Sequence, residues 1–193
     1  MKAFIVGMGR SGTMWVARAL EQCTDLEARH ESMRKKLGAD FHGVESNSNF
    51  WNQLPGVRER FPEAAILHQV RDGRDVVRSV QSRKDASWPF RRSCERWQNR
   101  NALLLREIPA THRFRLEDLT TNFDVFAAMA SLAGAMKANR KLWNVIRRQR
   151  VNAFPHHFHA YGDWSAEERD TFWEVCGETM QVLGYPSRTE CDG

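Results

Sequence analysis

The stretch from Gly7 to Trp15, Gly-Met-Gly-Arg-Ser-Gly-Thr-Met-Trp, limits the possible folds more than any other in the chain. It follows Ala3-Phe4-Ile5-Val6, an apolar run of the kind buried on both faces in a parallel sheet. It leads into residues 13–22, which carry a helical pattern. A strand that breaks into glycines and re-enters as a helix places a row of backbone N–H groups beyond the strand end. Ser11 and Thr13 add hydroxyl donors to that row. The chemistry favoured there is anion binding, and the bland alternative is a strand–helix turn with a capping serine.

The rest of the chain repeats the alternation. A short strand is expected at 42–45, a weak helix at 49–61, a second buried strand at 64–70 and a helix over 74–83. A long helix over 89–107 has Trp97, Leu104 and Ile108 near helical spacing, and 112–116 is a third strand candidate. Helices are predicted over 123–133, 137–148 and 165–183. The last has Ser165 as N-cap, Glu167 and Glu168 in its first turn and Gly184 just past its end. With 41% hydrophobic and 27% charged residues the composition is globular, and 193 residues suit one domain without repeat or linker. The expected fold class is α/β: residues 1–193 as a single three-layer domain, a parallel sheet flanked by helices.

The loop separates several phosphate chemistries. Nucleotide-triphosphate loops read G-x-x-x-x-G-K-[ST]. Gly7 and Gly12 keep that spacing, but Thr13 stands in the lysine position and Met14 in that of the magnesium-binding hydroxyl. A nucleotide kinase or NTPase with a degenerate loop therefore remains only an alternative. Gly7, Gly9 and Gly12 also satisfy G-x-G-x-x-G, yet no acidic residue closes a clear second strand about twenty residues on.

The segment Arg10-Ser11-Gly12-Thr13 resembles the 5′-phosphosulfate loop of PAPS-dependent sulfotransferases, in the form with arginine in place of lysine. The resemblance implies a P-loop NTPase-like sulfotransferase fold. It implies that Arg10, Ser11, Gly12, Thr13 and Met14 surround the 5′-phosphate and sulfate of PAPS (3′-phosphoadenosine 5′-phosphosulfate), with PAP as product. Trp15 falls where cytosolic members stack an aromatic on adenine; a core tryptophan is the competing reading. A second match is Leu67 to Ser79, similar to the family's 3′-phosphate segment: Arg71 ends a strand and Ser79 follows eight residues later. Arginine can grip phosphate bidentately there. Gly73 stands where relatives often have proline. Arg115-Leu116-Glu117-Asp118-Leu119 resembles a strand-end motif that organises structure. Gly162-Asp163-Trp164 with Gly184-Tyr185 resembles the C-terminal segment, with His157 and His159 in place of its basic residues.

Sulfuryl transfer needs a base for the acceptor's proton and fixed positive charge for the leaving oxygen. Arg10 suits the second task, and no metal is required. For the base, Glu31 lies twenty-one residues beyond Arg10, similar to several sulfotransferase branches, the tyrosylprotein enzymes among them, that place a glutamate about twenty residues beyond the loop arginine. It belongs to Arg29-His30-Glu31-Ser32, expected to follow a short strand on the same sheet edge as the loop. His30 is the rival base, and His42 matches the more distant histidine of cytosolic members. Ser46 and Asn47 are expected near the acceptor.

The net charge of +5 is segregated. Eight basic residues face Asp85 and Glu95 between Arg78 and Arg106, six basic residues and no acid lie between Lys137 and Arg150, and the sign reverses from Asp163 to Glu178. An anionic partner follows. A non-catalytic nucleic-acid-binding module is a second alternative, although no such motif is present and nucleic acid is not the expected partner. The acceptor stays open among a carbohydrate, a lipid headgroup, a small alcohol and a peptide, and so does the oligomeric state. Cys23, Cys94, Cys176 and Cys191 form no C-x-x-C, which points to reduced thiols and a cytoplasmic location. The apolar run 125–136 is too short to span a bilayer, and neither a signal peptide nor a transmembrane segment is expected.

Overall fold

The computed structural model describes residues 2–33, 42–83, 88–149, 151, 155 and 157–192. In chain order these form β1 (Ala3–Gly7), α1 (Thr13–Cys23), β2 (Ala28–His30), β3 (Val44–Ser46), α2 (Leu54–Arg60), β4 (Ala65–Val70), α3 (Gly73–Gln81), α4 (Phe90–Glu107), β5 (Arg113–Arg115), α5 (Leu116–Thr121), α6 (Phe123–Leu132), α7 (Arg140–Ile146), α8 (Ala166–Val182) and α9 (Arg188–Asp192). Single 3-10 turns lie at Ala110–His112 and Tyr161–Asp163. The fold is α/β, with a parallel sheet flanked by helices. Two compact units compose it: Met1–Val70 with Leu103–Asn152, and Arg71–Ala102 with Ala153–Gly193.

The first unit holds the sheet, a five-stranded array in the order β2-β3-β1-β4-β5. Every pairing is parallel. β1 is buried along its whole length, as its unbroken apolar run requires. Its side chains alternate between two cores. Ala3 and Ile5 pack with Val16, Leu20, Leu119, Phe126, Met129 and Trp143. Phe4 and Val6 pack on the other face with Phe50, Leu54, Val57, Leu104 and Ile108. Burying side chains of this size is worth about 1.5–3 kcal/mol each, so both faces of the central strand are committed and its register is firmly set. The strand order reverses at β1, which leaves a crevice at its carboxyl end, where ligands bind in open parallel sheets.

Three of the elements that differ from the sequence-based expectation do so for local reasons. The strand expected over 112–116 ends at Arg115, because Arg115 binds Asp118 through Nε (2.7 Å) and Nη2 (3.0 Å) and a helix starts at Leu116. The helix expected over 49–61 begins only at Leu54: Asn47 Oδ1 accepts from the N–H of Asn49 (2.9 Å) and holds that stretch as a turn. The helix expected from 137 begins at Arg140, because Asn139 is its N-cap and accepts from the N–H groups of Lys141 and Leu142.

The second unit is helical around an aromatic core. Trp164 is buried, contacts Phe90 at 5.0 Å and Phe172 at 5.4 Å between ring centres, and donates its indole N–H to the His159 carbonyl (3.2 Å). The Gly-Asp-Trp motif thus has a packing role. Asp72 caps α3, and a side chain at Gly73 would meet Trp97, Met180 and Phe172 within 3.2 Å. Ser165 and Glu168 form a reciprocal capping box at the start of α8. Gly184, at φ 74°, ends that helix while the N–H of Tyr185 bonds back to Met180.

Candidate active site

The site begins where β1 stops. A side chain at Gly7 would collide with the Gln69 carbonyl oxygen of β4, so the strand can end there only on glycine. The chain then turns tightly, with the N–H of Ser11 bonded to the Met8 carbonyl at 3.1 Å. Arg10 takes a left-handed φ of 78° and Gly12 one of 93°. Gly12 is the N-cap of α1, and no side chain among the described residues caps that helix. The N–H groups of its first turn therefore face outward with the positive end of the helix dipole. Gln69 braces the loop from behind by donating Nε2–H to the Ser11 carbonyl at 2.7 Å. The Ser11 hydroxyl is buried and has no hydrogen-bond partner among the described residues. A buried hydroxyl without a partner is uncommon and asks for a reason. Uncapped N–H groups, an unused hydroxyl and a left-handed arginine together form a cradle that fits a phosphate or sulfate group.

β2 and β3 bring the second half of the site to the same edge. Glu31, the residue after β2, has a φ of 49°, and its N–H bonds to the Ser46 carbonyl at 3.1 Å. Its Oε1 accepts from Ser48 Oγ at 2.6 Å. Ser48 Oγ lies only 3.7 Å from where a Gly9 side chain would start, so Glu31 is tied to the loop through one serine. His30 Nε2 is 3.1 Å from Thr13 Oγ1 and 3.9 Å from Glu31 Oε1. Ser46 Oγ donates to the Thr13 carbonyl at 2.8 Å. Beneath lies Glu45, wholly buried, accepting from Ser32 Oγ (2.6 Å), Asn47 Nδ2 (2.8 Å) and the N–H of Met33 (3.4 Å). Burial pushes the His30 imidazole below the usual histidine range, against the pull of Glu31 and Glu45. The ring is thus neutral near pH 7.

Among the described residues, the non-glycine positions with positive φ are Arg10 and Glu31. Strain of this kind costs about 1–3 kcal/mol per residue and gathers at functional sites. Here it falls on Arg10 and Glu31, two of the three side chains for which the sequence suggested chemistry.

No protein-family model matches the chain, and no curated protein matches it in sequence. Among solved structures, the mouse sulfotransferase SULT7A1 complexed with PAP aligns with a TM-score of 0.64 at 14% identity, over 94% of this chain and 85% of the other. The fold is sulfotransferase-like.

Within this sulfotransferase-like fold, Arg10, Ser11, Gly12, Thr13, His30 and Glu31 share one sheet edge in the first unit. Met14 is half-buried on the first turn of α1. Trp15 is a core residue: it is 5% exposed and donates its indole N–H to the Ile146 carbonyl (3.3 Å). Ser46 and Asn47 support the loop and Glu45 respectively. His42 is exposed ahead of β3, at the opposite end of the strands from the loop. Arg71 and Ser79 lie in the second unit, one just before α3 and one two turns into it. Arg71 pairs with Asp75 at 2.8 Å, while Arg74 pairs with Asp72, and Ser79 is buried. His159 bonds to Glu168 at 3.0 Å.

Three supporting residues escaped the sequence reading: Gln69, Ser48 and Glu45. Gln69 and Glu45 carried a signal, since each is a polar residue inside an apolar strand. Leu116, part of the motif expected to organise structure, packs where a Gly12 side chain would be. No group of metal-binding side chains occurs among the described residues, and no helix among them is long and apolar enough to cross a membrane.

Proposed function

We propose that this chain is a PAPS-dependent sulfotransferase that moves a sulfuryl group to a hydroxyl or amine acceptor, with residues 1–193 working as one domain in the cytoplasm. The observation that carries the reading is the buried Ser11 hydroxyl, without a partner among the described residues, inside a helix N-terminus that no side chain among them caps. It sits in a fold shared with a PAP-bound sulfotransferase.

PAPS supplies the activated sulfuryl group. The N–H groups and hydroxyls from Arg10 to Met14 hold its 5′ end, and Arg71 with Ser79 holds the 3′-phosphate. Glu31 takes the proton of the attacking acceptor. Arg10 stabilises the charge that builds on the departing phosphate oxygen, an interaction stronger in the transition state than in the ground state. Ser48, by donating to Glu31, aims that carboxylate. The acceptor is a carbohydrate, a lipid headgroup, a small alcohol or a peptide.

The test is thermal unfolding with PAP in the presence of a chelator. PAP at a hundredfold excess over its Kd stabilises a fold by about 2.7 kcal/mol, a rise of roughly 5–10 °C at this size. Arg71→Ala is expected to lose affinity for PAP, a charge-assisted contact worth about 1.5–3 kcal/mol, and to keep its affinity for adenosine 5′-phosphosulfate. No shift with millimolar PAP beside a clear shift with magnesium–ATP would replace this reading with a nucleotide kinase.

A further inference from the structure

We infer that His30 is a positioning residue for the donor loop: its Nε2–H donates to Thr13 Oγ1 and so turns the threonine O–H into the cradle at the start of α1. The inference rests on the PAPS reading of that loop and adds a role that neither the loop sequence nor the fold specifies.

Thr13 has one O–H to give and two lone pairs to receive. If it gave its proton to His30, an incoming phosphate oxygen would meet lone pairs and be repelled. If it receives from His30, its own O–H is free to donate to the anion. The direction of this one 3.1 Å bond decides whether Thr13 attracts or opposes the ligand.

Two features of the surroundings fix that direction. Glu31 Oε1 lies 3.9 Å from the same Nε2, and a carboxylate on that side of the ring favours the tautomer with its proton there. The ring is half-buried and held neutral, so it carries a single proton to place. Thr13 itself cannot swing away: it is 4% exposed and its carbonyl is held by Ser46. A ring whose Nε2 already bears the proton has no lone pair there to accept one from a substrate. His30 therefore orders the donor loop and leaves the base position to Glu31.

The experiment is a double-mutant cycle on PAP affinity, read by titration calorimetry, which needs no acceptor. Thr13→Val and His30→Ala are each expected to weaken PAP about 10- to 150-fold, the worth of one hydrogen bond to a charged group. The double variant is expected to be no more than about twofold weaker than Thr13→Val alone, because both changes remove the same contact. His30→Gln, whose amide can still donate, is expected to stay within about threefold of the parent. If His30→Ala does not fold by circular dichroism, His30→Leu takes its place in the cycle. Multiplicative losses in the double variant, or a His30→Gln loss as large as that of His30→Ala, overturn the assignment. If the unmodified chain binds no PAP, the donor reading fails and takes this inference with it. If it binds PAP and the cycle is additive, the inference alone falls.

Discussion

Alanine at Gly12 would meet two separate penalties. The first is backbone conformation: a φ of 93° is open to glycine, and an L side chain held in the left-handed region costs about 1–2 kcal/mol. The second is space. The new methyl would lie 2.7 and 2.9 Å from the two Leu116 methyl carbons and 3.0 Å from Gln69 Nε2. Overpacking of this kind costs about 1–3 kcal/mol. The sum is about 2–5 kcal/mol of stability, read as a lower urea midpoint at unchanged slope. The two penalties can be separated. In the background of Leu116→Ala the two shortest contacts vanish, while the backbone cost and the 3.0 Å approach to Gln69 Nε2 remain. Gly12→Ala should then cost less than in the parent, with the backbone cost of about 1–2 kcal/mol as its floor, and the difference is the coupling between the two sites. Gly12→Ala should also weaken PAP binding, since displacing Gln69 disturbs its bond to the Ser11 carbonyl. An unchanged urea midpoint for Gly12→Ala refutes the account of the loop. Equal costs in both backgrounds refute the packing half of it.

Three further outcomes are expected. Arg10→Gly and Arg10→Ala both remove the guanidinium and should both abolish transfer, but the glycine variant should be the more stable by about 1–2 kcal/mol, because only alanine is strained at φ 78°; equal urea midpoints would remove the strain from the argument. Glu31→Gln keeps shape and loses basicity, so kcat should fall roughly 10²–10⁴-fold with PAP affinity almost unchanged, and near-normal turnover with a verified acceptor would exclude Glu31 as base. The third concerns pH. The folded chain binds the His30 proton less readily than the unfolded chain, owing to burial against the pull of Glu31 and Glu45. The His30 contribution to stability is therefore full above the ordinary histidine range and is lost as pH falls through the lowered folded value. Urea midpoints from about pH 7.5 to about pH 5 should show a falling limb that His30→Gln flattens.

Much of the fold was legible because local pattern and burial agree along the chain. The run Ala3-Phe4-Ile5-Val6 is apolar at every position, which only a strand covered on both faces satisfies, and β1 is such a strand. Ser165 and Gly184 bound α8 as their capping chemistry requires. The segments read less well are those whose length is set by neighbours. β2 and β3 have three residues each and exist through their pairing with one another and with β1. The end of β5 depends on the Arg115–Asp118 pair, which competes with strand extension.

The amino-acid sequence by itself determined the loop: its glycines at 7 and 12, its hydroxyls, and the absence of a lysine at 13, because backbone conformation and side-chain chemistry at those positions are local matters. It also set Glu31 twenty-one residues beyond Arg10. Only the tertiary structure decided what holds these groups. That His30 touches Thr13, that Ser48 holds Glu31, that Gln69 and Leu116 back the loop, and that Trp15 points into a core all depend on which strands lie side by side. The parallel order β2-β3-β1-β4 makes neighbours of residues tens of positions apart, and hydrogen bonds reach only about 3 Å. Register, which no local pattern encodes, therefore chose the partners.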